Sequence, residues 1–277
     1  MALDVKTNVA SMTTLKHLGR NTRALSRSFE RISSGLRISR AADDAAGLGV
    51  AENLRAAHTS ARVAARNVND GVSIIAVAEG ASNEVANILV RMRELAVQSA
   101  SETLGTDQRL YIQQEFVELS GEVDRIAAVT EFNGQNLTDG TLPSIDVQVG
   151  INNTASDVIT ITLGDLTAAT LGVDTVAMTM STVVGAQAAL TVLDTALDSV
   201  SSYRASFGSV ENRLNSALSS LETFEETTIA AEARIRDADF GYESAQLAQN
   251  QILQQAGVSV LAQVKGLNQG ALALLQG

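Results

Sequence analysis

The stretch that decides the fold is Leu15–Leu36, LKHLGRNTRALSRSFERISSGL. Leu15, Leu18, Thr22, Leu25, Phe29, Ile32 and Leu36 recur at alternating steps of three and four, the repeat that lines side chains along one stripe of a helix. The stripe predicts a heptad seam. Ser33, Ser34 and Gly35 interrupt it, and the following SGLRISRAADDAAGLG sets glycines beside adjacent carboxylates, as in a linker that leads into a new helix. A domain boundary is expected after Ala42.

The other end is built alike. RIRDADFG, Arg234–Gly241, marks a second break, and beyond it Leu253, Val260, Val264, Leu267, Ala271 and Leu274 form another apolar stripe. Gly257, Gly266 and Gly270 each weaken that helix by about 1 kcal/mol relative to alanine. Between the two breaks, the run from Asp43 to Ala100 contains no proline and repeats the spacing at Ala78, Ala81, Val85, Ile88, Met92 and Leu95. Unbroken, it would approach roughly 85 Å at about 1.5 Å per residue.

Leu104-Gly105-Thr106-Asp107 predicts a helix stop and a new start capped by Thr106. The returning helix carries Ile112, Phe116, Leu119, Val123 and Ile126 on its inner stripe. EFNGQNLTDGTLP, Glu131–Pro143, is dense in turn formers, and after it the period changes to two. Ile145, Val147 and Val149, then Ile159, Ile161 and Leu163, alternate with polar residues around Asn152-Asn153, which predicts a β-hairpin within 140–185. The helical seam resumes at Leu190, Leu193, Leu197, Val200, Phe207, Leu214, Leu218 and Leu221, with Arg204 and Glu211 as polar register positions.

The expected fold is therefore mainly α: a long antiparallel helical coiled-coil rod, 43–237, with a small β-hairpin region, and terminal helices 1–42 and 238–277 paired as a coiled coil. A single narrow stripe does not stay ordered alone in water, because fixing each backbone residue costs about 1–2 kcal/mol. Both ends should remain unordered until they find partners. Pairing them on one side of the rod makes contacts between copies heterologous, which generates an open helical polymer.

Composition narrows the function. The 277 residues are 45% hydrophobic but only 3% aromatic, without tryptophan or cysteine, which suits thin helical seams and excludes disulfides and thiolate metal sites. Net charge is −11 and pI near 4.7, against nucleic acid as a partner. The first 42 residues reverse that balance, with Lys6, Lys16, Arg20, Arg23, Arg27, Arg31, Arg37 and Arg40 facing Asp4 and Glu30. They read either as a polar helix face or as a site for an anionic surface. MALDVKTNVA lacks the apolar stretch of a secretory signal, and no uninterrupted apolar run has the length of a membrane span, so no membrane insertion is expected.

No catalytic group, metal site or cofactor site emerges. His17 and His58 stand alone, and Asp43, Asp44, Asp237 and Asp239 sit where helix caps belong and have no accompanying base. Asn136-Leu137-Thr138 and Asn152-Asn153-Thr154 fit the glycosylation acceptor pattern, which recurs by chance.

The ends resemble bacterial flagellin. The resemblance runs through SFERISSGLRISRAADDAAGLG, ARNVNDGVSIIAVAEGA, LVRMRELAVQSA and EFNGQNL in the first half, and through SVENRLNSAL, ARIRDADF and ILQQAGVSVLAQ in the second. It implies a structural subunit, not an enzyme, that polymerises into the flagellar filament used for swimming. It also implies an extracellular location reached through the flagellar secretion apparatus without a cleaved signal, and no cofactor. The short middle leaves no room for large outer domains.

The partners the resemblance implies are other copies of the chain, an export chaperone on Ile252, Leu253, Val260 and Leu261, and the filament cap and hook-filament junction proteins. A further one is the vertebrate Toll-like flagellin receptor at Arg91, Leu95 and Glu115. The terminal assembly seam is assigned to Leu15, Leu18, Leu25, Phe29, Ile32, Leu253, Val260, Val264, Leu267 and Leu274. Two features depart from the family: KGLNQGALALLQG lacks a proline near the end, and Ser39 stands where asparagine is common. The alternative functions are a hook-filament junction protein of the same family and a secreted coiled-coil module acting on host receptors.

Overall fold

With no proline to interrupt residues 45–99, one helix carries them all. The structure, a computed structural model, describes residues 8–174 and 178–275, with side chains through Gly266. The helices are α1 (Val9–Ser34), α2 (Ala45–Ser99), α3 (Thr106–Val129), α4 (Val183–Arg236) and α5 (Phe240–Leu275). The strands form two antiparallel pairs, β1 (Glu131–Phe132) with β2 (Gln135–Asn136) and β3 (Ser144–Gln148) with β4 (Val158–Thr162). The chain divides into two compact units, Met1–Ala56 with Thr227–Gly277, and Ala57–Glu226. Both α2 and α4 contribute residues to each unit.

The unit 57–226 holds two apolar cores. In the first, Leu89, Met92 and Leu95 of α2 meet Phe116 and Val123 of α3, Leu193 and Val200 of α4, and Leu166, Val173 and Met180 of the segment before α4. In the second, Val68 and Ile75 of α2 and Phe207 and Leu214 of α4 pack against Val147, Ile159 and Ile161 of the hairpin. The described residues between 140 and 185 thus help to close both cores. By length and composition alone α4 would also pass for a membrane span. Its Leu193, Val200, Phe207 and Leu214 fill the two cores instead.

The β3–β4 register pairs Ile145 with Ile161 and Val147 with Ile159, so the alternating apolar residues share the face turned to the helices. The smaller β1–β2 pair escaped the sequence reading, although its turn is Asn133-Gly134 with φ of 51° and 76°, the mirror-image turn that a right-twisted two-residue hairpin requires. The start of α3 also differs from expectation. Gly105 is the cap residue, without a side-chain hydrogen bond, and Thr106 is the first helical residue. The turn is held from inside by Arg109, which donates from Nε to the Ser99 carbonyl at 2.9 Å and from Nη2 to the Ser101 carbonyl at 2.6 Å.

Between α2 and α4 run three exposed or half-buried ion pairs: Arg62 with Glu225 at 2.6 Å, Arg93 with Asp194 at 2.7 Å, and Arg204 with Glu79 at 3.6 Å. At no more than about 1 kcal/mol each they add little stability. They do favour one register over its neighbours, the role expected of Arg204.

Because Phe116 is fully buried, Phe116→Ala should lower the stability of the soluble chain by about 3–5 kcal/mol in a denaturant titration. Tyr111→Ala on the same helix removes a side chain 72% exposed, and should change stability by no more than about 0.5 kcal/mol.

Candidate functional site: the paired terminal helices

The two sequence breaks lie against each other. Gly35 ends α1 in the left-handed conformation, φ 71°, and turns the chain beside the end of α4. There Leu36 and Asp237 form an isolated antiparallel bridge, Arg37 N donates to the Arg236 carbonyl at 2.7 Å, and Ala238 N donates to the Gly35 carbonyl at 2.9 Å. Arg236 adds ion pairs to Glu52 at 3.2 Å and Glu232 at 3.6 Å. The exits from α1 and α4 are thus fastened to each other.

Of the four aspartates near these breaks, Asp44 and Asp239 act as caps, whereas Asp43 binds Ser39 and Arg40 in the linker and Asp237 bridges to Leu36. Asp44 Oδ1 accepts from the Gly47 amide at 2.9 Å at the start of α2, and Asp239 Oδ1 accepts from the Tyr242 amide at 3.0 Å at the start of α5. For Asp43, burial acts to raise the carboxyl. The Arg40 and Ser39 amides, the Ser39 hydroxyl and the Arg31 charge outweigh it and hold the group below the ordinary carboxylate range. This order in the linker is present above the unfolded carboxylate pKa and is lost as pH falls through the folded one.

From the fastened breaks α1 and α5 run antiparallel, their Cα atoms within 8 Å. Small and polar residues permit that approach. Thr14, Asn21 and Ser28 of α1 repeat every seven residues, as do Glu243, Asn250, Gly257 and Val264 of α5. Arg31 Nη1 donates to Glu243 Oε1 at 2.8 Å, and Asn21 Nδ2 donates to the Asn250 carbonyl at 2.8 Å. Ser28, Glu243 and Asn250 are buried, at 6%, 4% and 9% exposure. A seven-residue repeat, polar at Thr14, Asn21 and Ser28 in α1 and at Glu243 and Asn250 in α5, was legible in both ends, but following apolar residues passes over it.

The large apolar residues are divided between the seam and the outside of the pair. Of the ten residues assigned to terminal assembly, Leu18, Leu25, Ile32 and Val264 are half-buried, whereas Leu15, Phe29, Leu253 and Val260 are exposed. The side chains of Leu267 and Leu274 lie outside the described residues. Val9, Met12, Phe240, Tyr242, Ile252 and Val258 are also exposed. Burying a side chain of this size contributes about 1.5–3 kcal/mol, so covering these stripes is worth on the order of 10 kcal/mol before ordering costs. The seam's own hydrogen bonds add about 1 kcal/mol each, or somewhat more where charge assists. Arg20, Arg23 and Arg27 are exposed on α1 and make no ion pair among the described residues.

Elsewhere, Arg91 and Glu115 meet across α2 and α3, with Nη2 to Oε1 at 2.7 Å, and Arg91 also pairs with Glu94 at 3.0 Å. Leu95, one turn on, is 1% exposed and belongs to the first core. No cluster of three metal-ligating residues occurs among the described residues. Of the two glycosylation patterns, Asn136 donates to Asp139 at 2.7 Å beside a fully buried Thr138, while Asn152–Thr154 is exposed.

Known proteins share these features. Residues 5–142 match the family model for the bacterial flagellin N-terminal helical region, and residues 190–275 match that for the C-terminal helical region. The chain is 39% identical to flagellin of Halalkalibacterium halodurans over 269 residues, 97% of this chain and 98% of that protein. The chain belongs to the bacterial flagellin family. Flagellin of Bacillus subtilis is 37% identical with the same shares covered, and the crystal structure of Bacillus cereus flagellin aligns with a TM-score of 0.50 at 32% identity, over 56% of this chain and 88% of that one. As a flagellin of short form, the chain is a structural subunit that polymerises into the extracellular flagellar filament used for swimming, and it is not an enzyme. Nothing in these likenesses favours the junction role.

Breaking the seam's ion pair gives a direct check on this flagellin. Glu243 is buried, so Arg31→Met leaves its charge without compensation and should cost about 3 kcal/mol per subunit. Filaments of the variant should depolymerise at a lower temperature than wild type when followed by light scattering.

Proposed function

We propose that the paired terminal helices are the assembly element of this flagellin, with residues 1–42 and 238–277 forming the inner coiled-coil domain of the filament and 43–237 the domain outside it. The observation that carries this reading is the uneven burial of the pair: Ser28, Glu243 and Asn250 are buried and Leu18, Leu25 and Ile32 half-buried in the seam, while Leu15, Phe29, Leu253 and Val260 stay exposed. A helix pair so arranged gains more by covering its outer surface than by closing its inner one, and neighbouring copies in a polymer supply that cover. The absence of large outer domains makes the filament one of minimal thickness.

The apolar residues of α5 explain the need for escort, with Ile252, Leu253 and Val260 exposed and Leu261 half-buried. Ile252, Leu253, Val260 and Leu261 would be held by an export chaperone before the subunit leaves through the flagellar secretion apparatus without a cleaved signal, and the cap and hook-filament junction proteins would meet the two ends of the growing polymer. Arg91 and Glu115 offer a paired surface for the vertebrate Toll-like receptor. Leu95 supports that surface from beneath by packing.

Seeded, purified chain should form long tubes in negative-stain microscopy, and removing Asn268–Gly277 should abolish them. Rings or discrete oligomers from the full chain would point to the junction role, and receptor activation by a truncated chain that forms no filament would support the host-receptor module.

A further inference from the structure

The outside of the α1/α5 pair is not uniform, and its two flanks differ in shape. Side chains advance around a helix by about 100° per residue. His17 and Ala24 stand one position before the seam residues Leu18 and Leu25, which turns them to one flank. On α5, Ala256 stands one position before Gly257, and Leu253 and Val260 stand three beyond Asn250 and Gly257, on that same flank. These residues line an open, mainly apolar groove of about 580 Å³. Such a volume lies within the range that holds a ligand-sized apolar group.

The opposite flank projects. Thr22 and Phe29 stand four positions after Leu18 and Leu25, and Leu15 three before Leu18, so all three turn away from His17 and Ala24. Phe29 is 65% exposed there. Val258, one position beyond Gly257, shares that flank on α5 and is 54% exposed.

We propose that the groove on one flank is the socket for the projecting Leu15–Phe29 ridge of a second copy. This rests on the assembly reading above and adds to it which surface meets which. The occupant follows from three features. The pair belongs to a chain that polymerises with itself, so a second copy is always present at the same interface. Leu15 and Phe29 make the ends of the ridge apolar, with the Thr22 hydroxyl between them bonded back to the Leu18 carbonyl, and the groove is mainly apolar, so their union covers both, whereas ridge against ridge would leave both grooves empty. A ridge-to-groove contact is heterologous and repeats without closing, as a filament requires, whereas either flank against itself would give a closed dimer.

The chain has no cysteine, so paired thiols can report the contact. Thr22→Cys and Ala256→Cys copies would be mixed, elongated from wild-type seeds and mildly oxidised. A disulfide forms only where Cα atoms come within about 7 Å, and the two positions lie on opposite flanks of a single pair, so any bond joining them is between copies. Peptide mapping should find position 22 joined to position 256 in dimers of mixed composition. Filaments that form but contain only 22-to-22 bonds, or no bonds, overturn the proposal. Failure of the wild-type chain to elongate in the same buffer would instead count against the assembly reading itself.

A second variant fills the socket. Ala256→Trp should raise the critical concentration for elongation about tenfold or more, with the melting of the soluble chain unchanged. Elongation at the wild-type concentration would contradict the ridge-to-groove contact.

Discussion

Everything distinctive here follows from how α1 and α5 meet. They approach closely because their facing residues are Ser28, Asn21, Asn250 and Gly257, and they are held in register by the Arg31–Glu243 pair. Polar contacts of this kind fix geometry better than they stabilise, since each exchanges protein–water hydrogen bonds for protein–protein ones. The larger reservoir of free energy lies in the exposed stripes around Phe29, Leu253 and Val260, and only other molecules can draw on it. A pair that is specific inside and unsatisfied outside is suited to a polymer. It sets the shape of the subunit's assembly element while leaving most of the driving force to the contacts between subunits.

The unit 57–226 follows the opposite rule. Its two cores enclose large side chains, Phe116, Met92 and Leu193 in one and Phe207, Leu214 and Ile161 in the other, and it closes them with its own hairpin and the segment leading to α4. The buried apolar side chains of both cores thus find their partners within that unit. Within the terminal unit, the bridge between Leu36 and Asp237 and the Arg236–Glu52 pair join the two chain exits, so ordering one terminal helix assists the other. The conformational cost of organising both ends is in part shared.

Much of this architecture was legible in the sequence because its periods are regular. The proline-free run to Ala100, the turn at Gly105 and the alternation of Ile145, Val147, Ile159 and Ile161 each became the element they predict. The details of the assembly surface were less legible. An apolar stripe at three-four spacing identifies a helix that needs cover, but Leu18, Leu25 and Ile32 are shared by two overlapping stripes. Which stripe faces the internal partner is decided by Asn21 and Arg31, whose partners lie more than 200 residues away. Pairing across that distance is not written in any local pattern. The capping aspartates were readable because a cap is local, and the Leu36–Asp237 bridge was not, for the same reason as the seam.

Amide hydrogen exchange, read residue by residue in the soluble chain and in the assembled filament, tests the central claim most directly. Residues 57–226 should be protected to a similar degree in both states. The amides of α1 and α5 should exchange rapidly in the soluble chain and become slow only on polymerisation. Equal, strong protection of the terminal helices before and after assembly would show that their internal seam suffices, and would contradict the assignment of their stabilisation to contacts between subunits.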